Sequence, residues 1–390
     1  MKKILAMILA VALVLALAAG CSGGDKKDGD TVYIGVYEPQ SGANGAGGKQ
    51  EILGMEYANS LTPTVEIGGK TYNVELVYAD NESSTDKAVS AATKLVSAGC
   101  SVVLGSYGSS VAIAASDTFK EAGIPAIGVT CTNPQVTQGN SHYFRICFLD
   151  PFQGTVLANF AHDELGAQTV YCLGELGNDY DQGLVNYFSK AAEDLGMKVV
   201  TAEFPKDTSD FTSYLTSAKN EGADVIFAPT SISYGQLIVD QAVSQGVDAT
   251  LMGPDTWDSN LILEAAKDKD VSIYVSTFYA EGGDPEFEEG FKKWLNDNSD
   301  KLTNNGGNDM IAAVSVMGYD AYYTALEALK AAGSTDPEKV MEALPDVTYT
   351  GVSGSIAFDD TGDAIRDSAF IKTANTETVA WDFVAVQKVQ

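Results

Sequence analysis

Two kinds of side chain sit in loops that follow apolar runs, and their types could do chemistry. The first are neutral hydroxyls. "GSYGSS" follows "SVVL" and sets Tyr107, Ser109 and Ser110 where a buried strand hands over to a helix. "VTCTNP" sets Thr130 and Thr132 at the end of the next apolar run. The second are an acid and its aromatic neighbours. "MGPDTWD" puts Asp255 and Trp257 just past a strand, "ELGNDYDQG" puts Tyr180 on a loop leading into a helix, and Thr230 closes "DVIFAPT". A helix start leaves N–H groups unpaired at the positive end of its dipole, so a hydroxyl-rich loop running into one suits an anion. Ser109 or Ser110 is a natural N-cap, and Gly108 permits close backbone approach. An acid opposite such a cup suits a zwitterion, with its carboxylate in the cup and its ammonium on Asp255. Charge-assisted hydrogen bonds of that kind contribute roughly 1.5–3 kcal/mol each. Taken singly, each Ser or Thr could simply cap a helix and Asp255 could be a solvated turn. Two adjacent strand ends with the same chemistry favour the cup.

Other chemistries have little material. The two histidines, His142 and His162, are far apart. Cys100, Cys131, Cys147 and Cys172 show no C-x-x-C spacing, so neither a metal site nor a cofactor is expected. Cys147 and Cys172 sit in apolar runs and read as small core residues; sequence does not pair the four. "SGANGAGGKQ" has the place of a phosphate-binding loop, between strand and helix, but G-x-x-x-x-G-K-[ST] fails at Ala43 and at Gln50. It reads instead as a flexible loop at a cleft rim. Nucleophile elbows and zinc-hydrolase signatures are not apparent, so an exported hydrolase is the weaker alternative.

The loops need elements to hold them. Strand-like and helix-like runs alternate almost throughout: "TVYIGVY", "YNVELVYAD", "SVVLG" and "IPAIGVT", then after Pro151 "TVYCLG", "KVVTAEF", "DVIFAPT" and "ATLMGP". Repeated β-α units mean parallel sheets with helices on both faces. In "TDKAVSAATKLVSAG", Val89, Ala92 and Val96 mark one helical face, and Gly99 stops the helix. The stretch 310–332 is apolar nearly all round and should be well buried. Segments 98–129 and 221–253 repeat one pattern of Gly, strand, hydroxyl loop, helix, Gly and strand, which suggests two domains of similar architecture.

The chain has 390 residues, enough for two domains, and a formal net charge of −29. Such an acidic surface argues against nucleic acid, whose phosphates need a basic face. Lys2 and Lys3 precede "ILAMILAVALVLALAA" and "AGC", the pattern of an export leader over residues 1–20. "LAAGCSGGDKKDGD" resembles a bacterial lipobox, with Cys21 as the lipidated residue and 21–30 as a flexible tether. A retained anchor helix is the alternative, although the run is short for spanning.

The leader, "VYIGVYEPQSG", "LVYADNESSTDKAVSAATKLV", "VVLGSYGSS", "IPAIGVTCTNPQVT", "RICFLDPFQG", "NDYDQG" and "GPDTWDS" follow one another in an order that resembles one family. These are the extracellular branched-chain-type amino-acid-binding proteins of ABC importers, the Leu/Ile/Val-binding group. The resemblance implies an α/β fold of two doubly wound parallel-sheet lobes joined by three crossing segments, the type I periplasmic-binding-protein-like fold. One lobe is expected from 31–149 with 279–368, the other from 150–278 with 369–390. It also implies hinge closure on an amino acid, delivery to an ABC permease with its ATPase, and membrane attachment only through the lipid on Cys21, outside the cytoplasmic membrane. On the matching positions, Ser109, Thr130 and Thr132 would hold the α-carboxylate and nearby α-amino group, Tyr180 would be a wall aromatic, and Asp255 would take the ammonium. Gly47 stands where some members have a tyrosine, and Thr230 near a second wall tyrosine, while Tyr107 and Trp257 add aromatic bulk. A sensor of the same fold is the alternative to a transport role.

Overall fold

The structure is a computed structural model and describes residues 31–388. The leader and Cys21 lie outside the described residues. The first sheet contains β1 (Thr31–Glu38), β2 (Thr64–Ile67), β3 (Lys70–Asp80), β4 (Val102–Leu104), β5 (Ala126–Gly128) and β6 (Tyr143–Arg145), in the order β2-β3-β1-β4-β5-β6. β4 and β5 are three residues each and wholly buried, as apolar strands are when helices cover both faces. Leu104 pairs with Val36 on one side and Ile127 on the other. The chains leaving β4 and β5 therefore emerge side by side, and the two hydroxyl loops become neighbours.

The second sheet contains β7 (Thr169–Glu175), β8 (Lys198–Phe204), β9 (Val225–Phe227), β10 (Thr250–Gly253) and β11 (Ile273–Thr277). The late strands β14 (Ser368–Asn375) and β15 (Ala380–Lys388) complete it, in the order β15-β14-β11-β10-β9-β7-β8. β14 and β15 are antiparallel; the strands before them are parallel. A separate ribbon joins β12 (Thr348–Gly351) to β13 (Gly354–Ala357).

Twelve described helices connect these strands, of which six matter to the site. In chain order these are α1 (Gly45–Leu61), α2 (Thr85–Ala98), α3 (Ser109–Glu121), α4 (Asp150–Asp163), α5 (Asp179–Asp194) and α6 (Ala313–Ala332). α6 is the apolar segment and buries most of its length. Even so, no described helix is long and apolar enough to cross a membrane. α6 packs tightly on α1. A Cβ on Gly54 would lie 1.9 Å from Ser315 O, and one on Gly318 2.1 Å from Glu51 O, so only glycine lets these backbones approach.

Two details differ from the sequence reading. Val89 is 52% exposed; the buried stripe of α2 is Ala88, Ala91, Ala92 and Leu95. Small alanines bring the helix close, and the bulkier valines fall on its flank. The β2–β3 hairpin, with Gly68 and Gly69 at φ of +58° and +80°, was not anticipated. Two consecutive glycines with positive φ fit a two-residue hairpin turn. All four described cysteines are buried.

Candidate functional site

One site loop on each side is held from behind by a buried ion pair. On the first side, Arg145 has no exposed surface. Its Nη1 donates to Cys131 O (2.9 Å) and Asn133 O (2.6 Å), and its Nε to Asp363 Oδ1 (2.8 Å). That fixes the backbone around Thr130 and Thr132. On the second side, Lys372 Nζ meets Asp258 Oδ2 at 3.0 Å, and Thr277 Oγ1 donates to the same oxygen at 2.6 Å. That fixes the turn carrying Asp255.

The loops meet around a cavity of about 230 Å³, a size suited to one small molecule. Tyr107, Ser109 and Ser110 line it from the first side; Tyr180, Thr256 and Tyr234 line it from the second. The two sides touch directly. Ser110 Oγ donates to Asn178 Oδ1 (3.1 Å) and accepts from Asp179 N–H (3.1 Å). Asn133 Nδ2 donates to Asp179 O (2.8 Å), and Tyr107 O–H to Thr256 O (3.3 Å). The Ser110 hydroxyl is thus engaged by the opposite wall. Ser109 Oγ accepts from Asn133 N–H (3.1 Å), which leaves its own proton to offer. Gly108 is the N-cap of α3, so the first N–H groups of that helix face the cavity end of the loop.

Asp255 is buried behind Tyr180. Its Oδ1 accepts from Tyr180 O–H (2.8 Å) and from Gln153 Nε2 (2.8 Å). Burial raises its carboxyl to about 6, and the bonds from Gln153 and Tyr180 restrain the rise. Other acids gather behind the walls. Burial pushes Glu51 up to about 8, against bonds from Glu38 and Thr130. Burial pushes Asp150 up to about 8 as well, against the Thr132 hydroxyl. Burial and the charge of Glu51 drive Glu38 well above its usual range. At neutral pH these neighbours therefore hold protons, and Asp255 is the inner acid most ready to carry charge.

Four further expected residues, like Asp255, are buried and do not line the cavity. Thr130 donates from Oγ1 to Glu51 Oε1, and Thr132 lies at the base of the loop, where Asp150 N–H bonds its carbonyl (3.0 Å). Trp257 is fully buried over Gly253 and Gly235, and its Nε1 donates to Thr230 Oγ1 (3.3 Å). That corrects the expectation for Trp257 and Thr230: the indole is too large for the turn unless it fills the core, and the threonine satisfies its N–H. Tyr107 does reach the wall, and its ring lies over Gly47, where a Cβ would come within 2.4 Å of it. The sequence reading missed Gln153, Asn178, Glu175 and Asp181. Asp181 and Asn178 stood in a quoted loop, but acid-rich loops are common on so acidic a chain.

The geometry finds its counterpart in known proteins. A model of the periplasmic binding protein family matches residues 31–377. The Leu/Ile/Val-binding protein homolog 1 of Brucella abortus is 29% identical over 353 residues, covering 90% of this chain and 91% of its own. An amino acid binding protein of Pseudomonas aeruginosa is 30% identical over 361 residues, covering 90% of each. The crystal structure of the leucine-binding protein LivK of Thermotoga maritima superposes with a TM-score of 0.81 at 30% identity, covering 92% of this chain and 99% of that one. With its two strand-end walls closed on one cavity and the family pattern running nearly end to end, the chain belongs to the periplasmic binding protein family.

Proposed function

We propose that this protein is the solute-binding component of an ABC importer and captures an amino acid, branched-chain or related, between its two halves. The hinge halves are taken as 31–149 with 279–368 and 150–278 with 369–390; the strands from Thr31 to Arg145 share one sheet, those from Thr169 to Thr277 share the other with β14 and β15, and the packing of α6 on α1 supports joining 279–368 to the first half. Ligand contacts to both walls favour the closed form, and the closed form docks on a membrane permease whose ATPase drives import. One observation carries the reading: the proton-bearing Ser109 and the start of α3 line one side of the cavity, and Tyr180, whose hydroxyl bonds the buried Asp255 behind it, lines the other. The first suits a carboxylate and the second an ammonium. The names of the relatives, which describe amino-acid binding, support the same reading. Export and lipidation at Cys21 complete the proposal; Cys21→Ser should move the protein from the membrane fraction to the medium.

A thermal-shift screen with the twenty amino acids tests the core of it. A ligand at a hundred times its dissociation constant should add about 2.7 kcal/mol of stability. No shift with any amino acid, and no heat in calorimetry, would reject the reading.

A further inference from the structure

Beyond the head-group residues, the cavity has a second end whose chemistry is unlike an aliphatic pocket. Asp181 lies there with no exposed surface. Its Oδ2 accepts from Glu175 N–H at 2.8 Å, a local bond that helps start α5. Its Oδ1 has no hydrogen-bond partner outside its own residue. Beside it is Glu175, only 9% exposed, which accepts from Asn178 Nδ2 (3.0 Å) and, more loosely, from Tyr234 O–H (3.4 Å). A buried carboxylate oxygen without a donor is costly, and it is not needed to cap a helix that Asn178 already caps. Burial holds the Asp181 carboxyl well above its usual range, so in the empty protein it keeps its proton, and a cation placed beside it would favour the ionised form. One lysine, Lys206, also borders the cavity, but it is exposed and forms no ion pair among the described residues.

Tyr180 links the two acid ends. Its hydroxyl bonds Asp255, and its backbone adjoins Asp181. We infer that the side chain captured here carries a cation, which Asp181 and Glu175 receive while Asp255 receives the α-ammonium. The preferred ligands are then basic amino acids such as lysine, ornithine or arginine, with the apolar part of the stem lying along the Tyr180 ring. This rests on the amino-acid reading above and narrows it.

The test is isothermal titration of the mature protein with L-lysine, L-ornithine, L-arginine, L-leucine and L-norleucine, which matches the lysine stem without its charge. At least one basic amino acid should bind about tenfold or more tighter than norleucine, as one charge-assisted bond requires. Asp181→Asn should remove about tenfold or more of that affinity and leave norleucine little changed. Lys206→Ala should not weaken the basic ligand. Tighter binding of leucine or norleucine than of every basic amino acid overturns the inference while leaving amino-acid capture intact. So does full basic-ligand affinity in a folded Asp181→Asn variant. Heat with none of the five, together with a negative screen of all twenty amino acids, removes the amino-acid reading and this inference with it.

Discussion

On the six-stranded side of the cavity the wall is a pair of hydroxyl loops and a helix start, pinned by Arg145 through several bonds to backbone and to Asp363. On the seven-stranded side the wall is acidic and aromatic, pinned by Lys372 on Asp258. Both walls arise from strand ends in parallel sheets, where ligands of such folds bind. On the proposed reading their chemistry diverges because the first loop presents donors and the second an acceptor. The anchors diverge too. A guanidinium can bridge two carbonyls and a carboxylate at once; an ammonium serves as a point charge. The first wall is thus held by its backbone and the second by one side chain.

The largest expected effect is on ligand binding. Asp255→Ala leaves an ammonium buried without its partner and should lower amino-acid affinity by about 3–5 kcal/mol, read by calorimetry. A loss under threefold would mean that the acidic wall has been assigned to the wrong residue. Arg145→Met and Lys372→Met set the two anchors against each other. Each strands a buried carboxylate, so denaturant unfolding should show about 3–5 kcal/mol lost for Arg145 and about 3 kcal/mol for Lys372. Equal losses would erase the distinction between the walls.

The acid wall also predicts a dependence on pH. Asp255 at about 6, and Glu51 and Asp150 at about 8, all lie above their unfolded values. The folded empty protein therefore binds protons more tightly than the unfolded chain, and its stability should fall as pH rises from about 4 to about 8. Melting temperatures at pH 5, 6.5 and 8 should decline, and an ammonium on Asp255 should flatten the decline. A melting temperature that climbs over this range would contradict the buried-acid picture. The smallest effects belong to the neutral wall. Ser109→Ala removes one neutral donor to a charged ligand and should cost about 1.5 kcal/mol of affinity. Ser110→Ala loosens only the contact between the walls, at about 0.5–1 kcal/mol. An Ser110 effect exceeding that of Ser109 would reverse their roles.

Much of this was legible in the residues. Alternating β-α runs announce parallel sheets, and turn punctuation places "GSYGSS" and "GPDTWD" at strand ends. What sequence could not supply was direction. Trp257 sits two residues from Asp255, yet its ring turns into the core over Gly253 and Gly235 while Tyr180 turns to the cavity. Periodicity names a helical stripe but not its centre, hence Val89 at the surface. Asp181 was in plain view as one acid among 53 Asp and Glu residues, and only its burial distinguishes it. Long-range pairs such as Arg145 with Asp363 leave no local trace at all.

Both anchors reach forward to the end of the chain. Arg145 awaits Asp363, and Asp258 awaits Lys372. A ribosome that has not yet passed Asp363 has made every cleft loop but completed neither anchor. Competence to hold a ligand should therefore arrive late and all at once during biosynthesis, and a product cut short before its last strands should be mute rather than merely weak.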